Sequence, residues 1–262
     1  MSAIFYKLTC LTNLHMGSGD VNYDAVDLEV ERDPVLGEPT MNASGVKGAL
    51  RDHFDRLNRA GRISRETVLS IFGSDANEKD QEEKKKGTRQ GTYHFLSGDL
   101  IARPVRVSSG NPSYVLATTP ELLKHVGTKL AAFGLNNLFV EIPDAEETVV
   151  VTGADCTEIE GIPAKHVECK NLEIFLGKNW ALMSPKQLTE IDLPVMAHNV
   201  LENGISKNLW YEQVVPHESV FGLLVIAPEG DTDFENALGT DVVVQFGAGA
   251  TTGNGFIKLE KQ

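Results

Sequence analysis

The sequence predicts an α+β fold: a sheet-and-helix core of the ferredoxin-like kind with inserted segments and one projecting hairpin. Three observations predict it. Segments of apolar/polar alternation are interspersed with segments of 3.6-residue periodicity. A β-α-β order recurs at both ends of the chain. Asn203-Gly204, a strong hairpin signal, separates two extended runs.

Residues 3–12, AIFYKLTCLT, alternate as a first strand, and HMGSGD after them is a glycine-broken turn. AVDLEVE sets Val26, Leu28 and Val30 against Asp27, Glu29 and Glu31, which predicts a strand with one buried and one acidic face. RDPVLGEP reads as turn. Ser44 is the expected N-cap of a helix whose apolar positions are Val46, Ala49/Leu50, His53/Phe54 and Leu57. Residues 75–91 are charged and nearly free of apolar side chains, the composition of a mobile insertion. LSGDLIARPVRV reads as strand or hairpin. TPELLKHVGTKLAAFG reads as a helix capped by Thr119, with Pro120 at its first position and Gly134 near its end. Between 135 and 180 only TVVVT and NLEIFL stand out, as short strands, and SPKQLTEI follows as a short capped helix. After the Asn-Gly hairpin come an apolar strand SVFGLLVIAP, a brief helix TDFENALG, a strand DVVVQFG, a Gly-rich turn GAGATTGNG and a last strand FIKLE.

The totals set bounds. The chain's 262 residues suit one large domain, 1–262, with insertions. No apolar window is long enough to span a membrane, and the N-terminus reads as a strand rather than a signal peptide. Cys10, Cys156 and Cys169 are odd in number and far apart. They form no C-x-x-C pair, so a disulfide framework is not indicated. Cys156, His166 and Cys169 as metal ligands is the weaker reading beside three ordinary residues near a loop. The expected compartment is reducing cytosol. Net charge is −13, which argues against a protein that simply coats nucleic acid. Residues 1–131 are neutral overall and residues 132–262 carry all of the −13, so a polyanion has only local basic clusters to bind.

Four groups of residues can carry chemistry. The helix start NASGVKGALR offers free backbone N–H groups at the positive end of a helix dipole. Gly45 allows close approach, and Lys47 and Arg51 share a face. That makes either a phosphate seat or a capped amphipathic helix with ordinary surface bases. The loop FGAGATTGNGF can cradle phosphate through its amides or be a tight turn. It lacks the features of a P-loop or a dinucleotide fingerprint. Asp27 is a solvent-facing acid unless RNA lies beside it. In that case it can help hold Mg²⁺ or position and deprotonate an attacking group, with His15 near in space. The hairpin carries Met196, His198, Val200 and Leu201 on one run, Trp210 and Tyr211 on the other. Such residues wedge between bases or pack on the sheet or on another chain.

These pieces in this order carry a resemblance. LHMGSGD…VDLEVERDPVLGEPTMNASGVKGALR resembles the first signature of the RAMP superfamily of CRISPR proteins: a glycine-containing turn, an acid-bearing strand ending in Arg, and a Gly/Ser–Lys-Gly–Arg helix. IFGS (71–74), GDLIARPVRVSSGNPSYVLATTPELL, LWYEQVVPHESVF and GAGATTGNGFIKL are similar to the backbone subunit of type III-B, or Cmr-type, effector complexes. The type III-A backbone subunit is the alternative relative.

The resemblance implies a modified ferredoxin-like (RRM-like) palm with a protruding thumb, mapped to 193–210. It implies copies stacked head to tail along a CRISPR guide RNA in the cytoplasm, with other type III effector subunits. Each thumb would interrupt the guide–target duplex, and target RNA would be cut beside it with a divalent metal, Mg²⁺ or Mn²⁺. The family's catalytic acid and metal ligand falls on Asp27, its histidine on His15 and the acid of WYE on Glu212. The RNA-binding residues it implies are Ser44, Gly45, Lys47, Arg51, Gly249, Thr251 and Gly253. The thumb residues are Met196, His198, Val200 and Leu201. A non-catalytic RNA-binding backbone subunit is the alternative function. Three positions depart from the pattern. Ala43-Ser44-Gly45 replaces Gly-Ser-Ser, Asn254 replaces a base in the last loop, and Ala197-His198 stands where relatives tend to carry Arg.

Overall fold

The computed structural model describes residues 1–19, 26–74, 88–143, 145, 149–152 and 155–262. Most of the charged segment expected at 75–91 (75–87) lies outside the described residues. In chain order the elements are β1 (Ser2–Cys10), β2 (Thr40–Met41), α1 (Ala43–Arg59), α2 (Arg65–Phe72), β3 (His94–Phe95), β4 (Gly98–Asn111), β5 (Tyr114–Thr118) and α3 (Pro120–Ala132). Then follow β6 (Val149–Thr152), β7 (Asp155–Ile159), β8 (Ile162–His166), α4 (Lys170–Leu176), β9 (Trp180–Leu182) and α5 (Pro185–Thr189). The last are β10 (Val195–Glu202), β11 (Ile205–Gln213), β12 (Val220–Ala227), α6 (Asp233–Leu238), β13 (Val242–Gln245) and β14 (Phe256–Lys261).

The α+β class holds. A sheet ordered β13-β14-β1-β12-β4 is antiparallel throughout. It continues from β4 through β5, β9, β6 and β8 to β7, and within that extension the β5–β9 and β6–β8 pairs are parallel. The apolar run of SVFGLLVIAP is explained by its place. β12 lies between β1 and β4 and is buried on both faces. Phe221, Leu223 and Val225 face one core, with α1, α2 and α6. Val220 and Leu224 face a second, with α3, α4 and Trp180. In the first core Phe54 meets Phe72 edge-on at 5.1 Å and stacks on Phe234 at 5.2 Å.

The caps show where local sequence sufficed. Thr119 accepts from Leu122 N–H with Pro120 next in line, and Ser184 forms a capping box with Gln187. Three expectations are corrected. The N-cap of α1 is Asn42, whose side chain accepts from Ser44 N–H at 3.0 Å, so Ser44 lies inside the first turn. NLEIFL is helical: Leu172, Phe175 and Leu176 are buried while Ile174 is 85% exposed, a spacing that six residues cannot separate from alternation. AVDLEVE is no regular strand in its described part. Val30 is buried, but Leu28 is only half-buried, and the stretch is held by isolated bridges.

A buried ion pair fixes the approach to the hairpin. Arg103 of β4 donates to Glu38 at 3.2 Å and to the carbonyls of Leu188 and Ile191 at 2.6 and 2.8 Å. Thr189 hydroxyl also donates to Glu38. Both charged groups are at most 5% exposed. Burial pulls the Arg103 pKa down, and the Glu38 carboxylate opposes that shift. Removing one member strands the other charge. We expect Arg103→Met to cost about 3–5 kcal/mol in urea unfolding, and Arg103→Met/Glu38→Leu to recover part of the loss. A second expectation concerns Cys10, fully buried on the inner face of β1. Burial, with Glu218 nearby, pushes its thiol up to about 12. At pH 8 it should stay protonated and resist a maleimide until denaturant is added, as followed by mass spectrometry of its peptide.

Candidate functional site

The site is assembled on residues 13–17, which leave β1 and run beside the chain that leaves β11. Leu14 and Val215 exchange both backbone hydrogen bonds, each 2.8 Å. His15 is buried, and its Nδ1 lies 2.7 Å from the Gln213 carbonyl oxygen. A carbonyl only accepts, so Nδ1 carries the proton. The same nitrogen is 3.4 Å from Glu212 Oε1. The other Glu212 oxygen, Oε2, is 2.7 Å from His198 Nε2, an electrostatic contact out of line for a hydrogen bond. Glu212 is itself 9% exposed. A carboxylate removed from water needs such partners.

Asp27 lies along the free edge of β11. Its N–H and that of Leu28 donate to the Tyr211 carbonyl at 3.0 and 3.2 Å, and Gln213 N–H donates to the Leu28 carbonyl at 2.8 Å. The Asp27 carboxylate accepts from Tyr211 N–H through Oδ2 at 2.8 Å. Among the described residues no other hydrogen bond to this carboxylate is seen. Asp27 thus borders β11 through the backbone of Tyr211, next to Glu212, and Glu212 faces His15, all at the root of one hairpin.

The hairpin itself runs Val195–Glu202 and Ile205–Gln213, beginning two residues after and ending three residues after the 193–210 expected. Asn203 and Gly204 have φ of 51° and 79°, the turn that matches strand twist. Cross-strand register puts Met196, His198 and Val200 on one face with Glu212, Trp210 and Asn208. Most of the hairpin is solvent-exposed, with Met196, Val200, Leu201 (63%) and Ile205 (64%) unpacked.

The phosphate-seat residues lie on α1, which meets the 13–17 segment at Met16. Met16 fills the space beside Gly45: a Cβ there would come within 2.6 Å of Met16 Cε, so the close approach at Gly45 is made by a methionine. Ser44 is exposed and Lys47 half-buried. Arg51 donates to the Gly73 carbonyl at 3.1 Å and lies 3.7 Å from Asp55, which ties it to the end of α2. The last glycine loop packs on His15: Ala248 N–H donates to the His15 carbonyl, and Gly255 N–H to that of Asn13. Gly249 and Gly253 are left-handed and flank a 3₁₀ turn, Ala250–Thr252, which includes exposed Thr251. Elsewhere, His166 Nε2 donates to the Cys156 carbonyl and Cys169 approaches the Glu141 carbonyl, ordinary contacts for all three. Sequence reasoning missed Asn42, Gln213 and the Arg103–Glu38 pair. Of these only Asn42 left a signal, as an Asn immediately before the periodic run.

The comparisons with known proteins follow this geometry. The family model described as the RAMP superfamily matches residues 7–258. The chain is 24% identical over 297 aligned positions to the CRISPR system Cmr endoribonuclease Cmr4 of Pyrococcus furiosus, covering 99% of this chain and 95% of that protein. Its fold is shared with a chain of the type III-B Cmr-β complex bound to cognate target RNA, at 21% identity and TM-score 0.79, covering 100% and 97% of the two chains. Oligomeric Cmr4 from Pyrococcus furiosus shares it too, at 20% identity and TM-score 0.72, covering 100% and 98%.

The loop packing yields an ordering of glycine substitutions. A Cβ on Gly253 meets nothing within 4 Å, so Gly253→Ala should cost only the about 1–2 kcal/mol of a left-handed backbone. A Cβ on Gly247, at φ 69°, would come within 2.2 Å of the His15 carbonyl oxygen. Gly247→Ala should therefore be clearly the worse of the two in urea unfolding.

Proposed function

The chain belongs to the RAMP superfamily, and on that premise we propose that it is a guide-RNA-binding backbone subunit of a type III-B effector complex. It also cleaves complementary target RNA at regular intervals. The observation that carries the reading is that Asp27 bonds to β11 next to Glu212, a carboxylate flanked by His15 and His198, at the root of an exposed hairpin. The relative's name, Cmr endoribonuclease Cmr4, supports the same activity.

In this reading the palm is the ferredoxin-like sheet β14-β1-β12-β4, with α1 connecting β1 towards β4 and α6 connecting β12 towards β14. The hairpin is the thumb, and the whole chain 1–262 is one domain. Its exposed apolar residues push between stacked bases, which opens the duplex beside Asp27. The first turn of α1, Lys47 and the 249–253 loop receive backbone phosphates. Few bases are available per copy. Copies arranged head to tail along the guide, together with other effector subunits, sum weak sites into tight binding. The location is cytoplasmic. Among the described residues no helix is long and apolar enough to cross a membrane.

Asp27 is the residue that cuts. Its Oδ1 would face an RNA ribose or a cation, while Tyr211 N–H orients the carboxylate through Oδ2. Among the described residues no three His, Cys, Asp or Glu side chains gather to hold a metal. A Mg²⁺ or Mn²⁺ ion would thus take Asp27 as its carboxylate ligand from this chain, with phosphate oxygens and water as the rest. Bound there, it would neutralise charge on the phosphate under attack. His15 donates through Nδ1 to the Gln213 carbonyl, which fixes its ring beside Glu212. Glu212 orients both histidines.

Asp27→Asn keeps an acceptor for Tyr211 N–H and removes the charge. In the assembled complex it should lower target cleavage at least about a hundredfold and leave guide binding intact. EDTA should stop the wild-type complex. Intact target RNA with wild-type complex and Mg²⁺ would instead establish a subunit that binds without cutting, and loss of guide binding in Asp27→Asn would make Asp27 structural.

A further inference from the structure

We propose that His198 is a positioning residue for the cutting site: stacked on Trp210, it faces one oxygen of Glu212 while His15 faces the other, and this electrostatic bracket keeps β11 aligned with the Asp27 edge. The inference rests on the reading of Asp27 given above and deepens it.

The geometry is specific. His198 and Trp210 are direct cross-strand partners, with ring centroids 5.2 Å apart and planes 15° from parallel. That stacking fixes the imidazole plane. Glu212 is the diagonal neighbour on the same face, and Nε2 reaches its Oε2 at 2.7 Å. The carboxylate is thus bracketed by a histidine of the hairpin and a histidine of the palm. His15 Nδ1 belongs foremost to the Gln213 carbonyl, at 2.7 Å against 3.4 Å to Glu212. His198 is therefore the nearer partner of a carboxylate that is largely out of water. On either side of Glu212, Tyr211 and Gln213 make the backbone bonds to Asp27 and Leu28. Glu212 therefore sits between the two residues whose backbone groups hold the Asp27 edge. At this position one ring both stacks on an aromatic and faces an acid.

The test uses His198→Ala, His198→Arg, Glu212→Gln and the double variant His198→Ala/Glu212→Gln in the complex assembled with guide. We expect His198→Ala to lower the single-turnover cleavage rate about tenfold at saturating target, with guide and target affinities unchanged. Glu212→Gln should do the same, the double variant should be no worse than either, and His198→Arg should restore most of the rate. A second readout needs no cleavage. In the purified chain, hydrogen exchange at the Leu28 and Gln213 amides should accelerate in His198→Ala while the melting temperature holds. Multiplicative losses in the double variant, or exchange at the wild-type rate, would overturn the proposal. If Asp27→Asn is inactive while His198→Ala cuts normally, this inference alone falls. If Asp27→Asn cuts normally, the reading beneath it falls, and the exchange experiment still decides whether His198 holds the edge.

Discussion

The two backbone hydrogen bonds between Leu14 and Val215 are the constraint on which the site depends. They bring the end of β1 beside the chain leaving β11, about two hundred residues later in sequence. Every other piece attaches within a few residues of that pair. His15 reaches Gln213 and Glu212, Met16 rests on Gly45 at the start of α1, and the carbonyls of Asn13 and His15 accept from the last glycine loop. Met16 carbonyl also accepts from Glu31 N–H, which draws in the segment that carries Asp27. Since buried backbone groups must be paired, such a junction admits little slippage.

A second constraint sets the hairpin from the other strand. β10 leaves the core through Leu193 and Pro194, just after the carbonyls that Arg103 binds. A buried guanidinium satisfied by one carboxylate and two carbonyls is stiff, because any movement leaves donors without partners. The hairpin is therefore anchored at both strands, by Arg103 before β10 and by Leu14 after β11. Past its root, where Asp27, Leu28 and His15 bond to Tyr211 and Gln213, it has among the described residues little support beyond its own pairing and the His198–Trp210 stack.

That contrast bears on function. A rigid root and an exposed apolar arm suit an element that acts on something outside the chain. A carboxylate at the root is then held at a set distance from whatever the arm displaces. The chain's excess of acid does not contradict an RNA-binding role for a RAMP-superfamily member. The described basic groups near the site are few, and Arg51 is taken up by Gly73 and Asp55. In the proposed function, affinity would come from backbone amides, stacking and repetition more than from net charge.

Local chemistry made much of this legible in the sequence. The caps at Thr119 and Ser184, the Asn203-Gly204 turn, the doubly apolar β12 and the helical period after Asn42 are all short-range effects, set by neighbours three or four residues apart. The family motif supplied Asp27, His15 and Glu212 as a set, although nothing local joins them. Other features escaped because they depend on partners far along the chain. AVDLEVE alternates like a strand, yet its described part becomes a bridged edge because Tyr211 and Gln213 supply its hydrogen bonds. NLEIFL became a helix because one face met Trp180 and Phe5, and six residues carry too little pattern to decide. Arg103 and Glu38 look like surface charges until folding encloses them. The sequence by itself determined the class of fold, its turns and its caps, since those follow from intrinsic backbone and side-chain preferences. Only the tertiary structure decided that Glu212 lies between two histidines and that Asp27 borders the hairpin, because those contacts exist only where distant segments are forced together by a shared core.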